Sequence, residues 1–294
     1  MTQQLSLEQK QAISEKLAEY VSRYPSQAKA ANSLKGTSAG TVNAILKGKF
    51  ENISDEMFCN IRSQIESNKV DGWQLCGTAA FKDVSTFLED AQQYQNVSWI
   101  VGPAGIGKTT AATIYARGHK NVFYLPCSED MHKSDFVREL ARKIGIRTEG
   151  LTVRETLAAI TAELVTLDHP LLIFDEGDKL TDSVMYYYIS LYNALEDKCG
   201  MVFLSTPYIE KRINRGVAAD RKGYAEMYSR ICRRFVQLTK VNEFEVRAIC
   251  IANGLTADEN INKVVADAKL ADFDIRRVKK EIHKQLRILA ASRL

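Results

Sequence analysis

No run of apolar residues approaches the roughly 18 that a membrane-spanning helix requires. The opening stretch, MTQQLSLEQKQAISEK, has no apolar core of the signal-peptide kind. Both absences lead to the expectation of a cytoplasmic protein with no membrane partner. Cysteine is sparse: Cys59, Cys76, Cys127, Cys199, Cys232 and Cys250 include no CxxC pair. That argues against a disulfide or zinc framework and for reduced thiols. The four histidines, His119, His132, His169 and His283, do not cluster, so a histidine-rich metal centre is not expected. Internal repeats and low-complexity segments are missing too. What remains is an ordinary globular composition, 45% hydrophobic and 26% charged, long enough for two or three domains.

Net charge is only +4, but it is unevenly spread. Between Tyr20 and Phe50 stand Arg23, Lys29, Lys35, Lys47 and Lys49, with no acid. From Asp274 to the end, seven basic residues face two acids. Basic tracts at both ends raise the expectation of a polyanionic partner.

The chain changes character near residue 80. Before it, Leu7, Ile13, Leu17 and Val21 share a helical stripe within 6–23. Pro25-Ser26 opens a second helix that Gly36 breaks, and Thr37-Ser38 caps a third running to Lys47-Gly48. Two short helices around a glycine-containing turn read as a helix-turn-helix. Ser38, Thr41, Asn43, Lys47 and Lys49 are its candidates for facing DNA, and with no arginine among them they suit phosphate contact more than base reading. A helical docking domain for another protein fits the same pattern. A further helix is expected over 52–68. We expect a helical domain over 1–70 and a linker over 71–80.

After it, short apolar strands at 96–101, 121–125, 170–175, 200–205 and 235–238 alternate with helical stretches at 107–118, 133–145, 152–167, 180–197 and 223–234. That alternation predicts a parallel α/β sheet covered on both faces. A core over 81–240 and a helical segment over 241–294 complete the expected organisation.

The first strand runs into GPAGIGKTT: Gly102, Pro103, Ala104, Gly105, Ile106, Gly107, Lys108, Thr109 and Thr110. This is the G-x-x-x-x-G-K-T phosphate loop. Glycines let backbone N–H groups wrap phosphates, and the following helix presents its positive end to them. Lys108 is expected to reach the β- and γ-phosphates of ATP and Thr109 to ligate Mg²⁺. The stretch LLIFDEGDKL ends a strand in Asp175 and Glu176, at the edge where open α/β sheets bind ligands. Asp175 is expected to hold Mg²⁺, and Glu176 to polarise the attacking water. Two adjacent acids favour hydrolysis over binding alone. The next strand ends in FLSTP, where Ser205 or Thr206 would contact the water or γ-phosphate.

Together these parts resemble the AAA+ ATPases, which have five parallel strands, a helical lid, a polar sensor, an arginine finger before the fifth strand and a second arginine in the lid. By that resemblance Arg230 in YSRICRRF matches the finger, with Arg234 as second choice; pairing with Glu226 is the local alternative. Arg230, Arg233 and Arg234 would share one face if the helix ran through them. Arg276 in DFDIRRVKKEI matches the lid arginine, with Phe273 where the family usually has glycine. Within AAA+, the domain order resembles the phage Mu B transposition protein family, whose core TnsC and IstB share. The resemblance implies ATP and Mg²⁺ as ligands. It also implies a filament or ring on double-stranded DNA when ATP is bound, and delivery of target DNA to a transposase in a bacterial or phage-infected host cell. It adds Lys133, Arg147 and Arg154 as DNA candidates, and a loop over 212–223 carrying Arg212, Arg215, Arg221 and Lys222. A helicase-loader-like ATPase and an ATP-responsive helix-turn-helix regulator remain alternatives.

Overall fold

The computed structural model describes residues 5–65 and 73–291. The first part of the linker expectation, 71–72, and the end of the helix expected over 52–68 lie outside them. Helices α1 (Leu7–Val21), α2 (Gln27–Ser33), α3 (Ala39–Leu46) and α4 (Asp55–Ile65) surround a small core of Ile13, Leu17, Val42, Ile45, Phe58 and Ile61. Serines start three of them. Ser6, Ser26 and Ser38 each accept from a backbone N–H three residues on, satisfying donors that a helix start leaves open.

Then follow α5 (Ala79–Tyr94), β1 (Val97–Val101), α6 (Lys108–Gly118), β2 (Val122–Pro126), α7 (Lys133–Ile144), α8 (Val153–Val165) and β3 (Leu171–Asp175). The chain continues through α9 (Asp182–Leu195), β4 (Gly200–Ser205), α10 (Tyr208–Ala218), α11 (Tyr224–Arg230) and β5 (Val236–Gln237). It ends in α12 (Glu243–Ala252), α13 (Asp258–Leu270) and α14 (Ile275–Ala291). The strands form one parallel sheet in the order β2-β3-β4-β1-β5. Every residue of β3 and β4 is buried, as both-face coverage demands. Alternate residues serve alternate faces. Trp99, Phe174 and Phe203 stack on the side of α7 to α11, while Ile100, Ile173 and Leu204 pack toward α5, α6 and the last three helices.

Register places the functional edge. Asp175 pairs with Leu204 and Val101 with Ser205, so the carboxyl ends of β1, β3 and β4 finish level with one another.

Two helices lie outside the sequence expectations. One is α5. The other, α10, replaces most of the loop expected over 212–223. Gly216 is there for packing, not for a turn, since a Cβ on it would stand 2.1 Å from the Tyr224 ring. Conversely, the helix expected through 234 stops at Arg230, because Cys232 and Arg233 adopt left-handed backbone (φ 54° and 55°). Arg230, Arg233 and Arg234 therefore do not share a helix face.

The N-terminal helices seat on the sheet unit through α2. Lys29 pairs with Glu163 at 2.8 Å, Asn32 donates to the Gly145 carbonyl and Arg142 donates to the Ser33 carbonyl. Gly145 ends α7 at φ +86°, and a Cβ there would lie 2.3 Å from the Lys29 carbonyl oxygen. Gly145→Ala is therefore expected to lower the melting temperature by at least about 2 °C, since left-handed backbone alone costs roughly 1–2 kcal/mol for a residue with a Cβ. An unchanged melt would mean that α2 does not sit against α7.

Among the described residues no helix is long and apolar enough to cross a membrane, and no group of three or more His, Cys, Asp or Glu residues could hold a metal ion.

Candidate functional site: a phosphate loop facing two carboxylates

The loop between β1 and α6 closes over a cavity of about 290 Å³ at the carboxyl edge of the sheet. Its walls include Gly105, Lys108 and Thr109 from the loop, Asp175 and Glu176 after β3, Thr206 after β4, and Arg276 from α14. The sequence expectations for these residues thus converge on one space. Gly107 takes φ +104° where α6 begins, a conformation that L side chains rarely adopt. Gly105 at φ +75° admits no side chain, because a Cβ would meet the Asp274 carboxylate at 2.1 Å. The Ile275 N–H donates to the Gly105 carbonyl, so the start of α14 is fastened to the loop.

Lys108 folds back on the loop, donating to the carbonyls of Gly102 (2.6 Å) and Pro103 (2.8 Å). Burial holds its ammonium pKa below the usual value, and the Asp175 carboxylate works against that fall. Asp175 is buried and accepts three hydrogen bonds. Thr109 Oγ1 (2.6 Å) and the Tyr124 hydroxyl (2.7 Å) reach its Oδ2, and the Glu176 N–H (3.0 Å) reaches its Oδ1. Burial pushes the Tyr124 hydroxyl pKa well up, with the Asp175 charge adding to it.

Glu176 sits in left-handed backbone at φ 57°, a conformation uncommon outside glycine. Its carboxylate pairs with Lys179 at 2.7 Å. Thr206 donates to Asp178. Of the two candidates ending β4, Ser205 is committed elsewhere: its Oγ accepts from Trp99 Nε1 at 2.8 Å in the core.

The donor set fits a Mg-nucleotide. A glycine cradle, one ammonium, a helix start and a buried aspartate beside a threonine hydroxyl are the groups that phosphates and a hard cation require. Thr109 and Asp175 are the residues that would hold Mg²⁺.

A family model described as AAA domain matches residues 91–213. Curated relatives align over most of the chain. The Mu-like prophage FluMu DNA transposition protein B of Haemophilus influenzae is 25% identical over 245 residues, 78% of this chain and 81% of that protein. ATP-dependent target DNA activator B of Escherichia phage Mu is 20% identical over 232 residues, covering 77% and 72%. Its counterpart in Escherichia phage D108 is 21% identical over 223 residues, covering 74% and 70%. The chain thus carries an AAA domain and is similar over most of its length to transposition proteins B of the Mu type.

Within this chain, the arginine expectations separate. Arg276 is exposed and lines the cavity, at the start of α14. Just before it, Phe273 takes left-handed backbone at φ 58°, so the position where the family usually has glycine keeps a glycine-like conformation. Arg230 does not line the cavity. It pairs with Glu226 at 2.7 Å, donates to Asn193 and lies over the Tyr192 ring. It borders a different cavity at the amino-terminal end of β1 and β4, together with Arg234.

The DNA candidates are spread. Asn43, Lys47 and Lys49 are exposed around α3, while Thr41 is half-buried with its N–H capped by Ser38. Lys133 is exposed at the start of α7, over the Tyr187 ring, and Arg154 is exposed on α8. Arg147 is exposed but donates to Asn32, at the seat of α2. Arg212 is a correction: its guanidinium is tied to Asp182 and to the carbonyls of Asp178 and Leu180, bracing the segment after Glu176.

Sequence reasoning missed several residues of the site. Trp73, Leu75 and Cys76, within the expected linker, wall the cavity with Phe81 and Lys279, and the Lys279 ammonium stands 5.2 Å from the Trp73 ring centre. Gln74 and Asn253 hold that segment to α12 by reciprocal hydrogen bonds. Tyr124 and Lys179 were missed as well. No short motif marks any of them.

Proposed function

We propose that this protein is an ATP-dependent, largely sequence-non-specific DNA-binding ATPase. In this reading it oligomerises on duplex DNA, delivers target DNA to a transposase and activates it. The names of its relatives, DNA transposition protein and target DNA activator, support that reading. The observation that carries it is the division of the arginines. Lys108, Thr109, Asp175, Glu176, Thr206 and Arg276 all border one cavity, whereas Arg230 stands apart from it. A site that lacks its finger in the single chain is completed by a second copy, which makes turnover a property of the oligomer.

The loop N–H groups and Lys108 bind the phosphates of ATP. Glu176, once released from Lys179, takes a proton from the water that attacks the γ-phosphate. Thr206 orients that water or the phosphate, and Arg276 senses the γ-phosphate from the lid. Arg230 of the neighbouring copy stabilises the charge that develops in transfer. Mg²⁺, when bound by Thr109 and Asp175, neutralises phosphate charge. Lys133 and Arg154, with Thr41, Asn43, Lys47 and Lys49 around α3, supply phosphate contacts to DNA. A few such contacts per copy, multiplied along an assembly, give tight, salt-sensitive and sequence-tolerant binding. A cytoplasmic location follows from the substrates.

Electron microscopy with random-sequence duplex DNA tests the reading. Continuous filaments are expected with a slowly hydrolysed ATP analogue and none with ADP. Isolated dimers at rare positions in both states would replace it with a sequence-reading regulator.

A further inference from the structure

Asp175 draws two of its three hydrogen bonds from the two sequence motifs themselves, Thr109 of the phosphate loop and its own neighbour Glu176. The third comes from elsewhere. Tyr124 lies on β2, paired in register with Ile173, so Asp175 lies two residues further along the adjacent strand on the same face of the sheet. From there the phenol slants along the strands and its hydroxyl donates to Asp175 Oδ2 at 2.7 Å. Thr109 Oγ1 meets the same oxygen, so two hydroxyls from different elements fix the carboxylate's tilt. The ring packs with the core beneath α5 and α6, and a phenol has only two torsions to lose.

We infer that Tyr124 is a positioning residue for the cation site: its hydroxyl holds the Asp175 carboxylate in the orientation that receives Mg²⁺ with the nucleotide. The inference rests on the ATPase reading above. Tyr124 does not line the cavity, and its hydroxyl reaches the site by its hydrogen bond to Asp175. A hydrogen bond to a charged acceptor is among the stronger ones in proteins, and its loss leaves the carboxylate free to turn away.

Tyr124→Phe keeps the ring and removes the donor. Binding of a fluorescent ATP analogue would be titrated with Mg²⁺, and again with the metal chelated. The expected result is a rise of about tenfold in the Mg²⁺ concentration for half-saturation, with metal-free affinity within about twofold of wild type. In an Asp175→Asn background the same change is expected to add less than about twofold, because the two residues act as a pair. That coupling separates positioning from a general loss of packing. A wild-type protein with no Mg²⁺-dependent binding would overturn the ATPase reading and this inference with it. A wild type that responds to Mg²⁺, with Tyr124→Phe responding identically, would overturn the role of Tyr124 alone. Equal losses with and without Mg²⁺ would also overturn it, leaving Tyr124 a structural residue.

Discussion

Glu176→Gln is expected to bind ATP and DNA as wild type does and to hydrolyse ATP about 10²–10⁴-fold more slowly, the range lost with a general base. The amide keeps the size and the left-handed backbone of Glu176 but cannot accept the proton of water. In the resting chain this carboxylate pairs with Lys179, so the side chain must swing away before it can act. Glutamine loses that ion pair too, but both partners are substantially exposed and such a pair contributes little. The variant is therefore expected to fold normally and to stall with nucleotide bound. Phosphate release measured beside nucleotide binding checks this. Turnover within tenfold of wild type would assign the base elsewhere.

Arg230→Ala is expected to cost at least about 10³-fold in turnover, the scale on which arginine fingers act, while nucleotide affinity stays near wild type. The argument is geometric. Arg230 borders a cavity on the far edge of the sheet from the phosphate loop, and within one chain its partners are Glu226 and Asn193. If it serves only those partners, its loss touches folding and leaves turnover per folded molecule intact. If it serves a neighbour, mixing decides the matter. Arg230→Ala and Glu176→Gln are each inactive alone, yet a mixed oligomer contains interfaces that join an intact Arg230 to an intact Glu176. Activity that rises with mixing is the expected outcome; a flat response at every ratio would remove the finger assignment.

Much of this site was legible because its chemistry is local in sequence. The phosphate loop spans nine consecutive residues, Asp175 and Glu176 are adjacent, and both follow short, mostly apolar strands. What was not legible depends on packing across the chain. Tyr124 matters because β2 lies beside β3, a fact of strand order that no spacing announces. Gly216 looked like a loop residue, although the Tyr224 ring is what excludes a side chain there. The turn at Cys232 and Arg233 carries no glycine or proline and so reads as more helix. Helix α5 is a different case. Ala80, Val84, Leu88 and Ala91 recur at helical spacing behind Thr78 as cap, a signal present in the sequence but overshadowed by the strand that follows.

Trp73, Leu75 and Cys76 have a practical consequence for anyone who divides the chain into pieces. A truncation at residue 80 or 81, where composition changes, removes one wall of the cavity and the clasp between Gln74 and Asn253. Such a fragment would display weak nucleotide binding, and the loss would be misread as dependence on the N-terminal helices. A cut made ahead of Trp73 preserves the wall, and only that fragment reports what the N-terminal helices contribute.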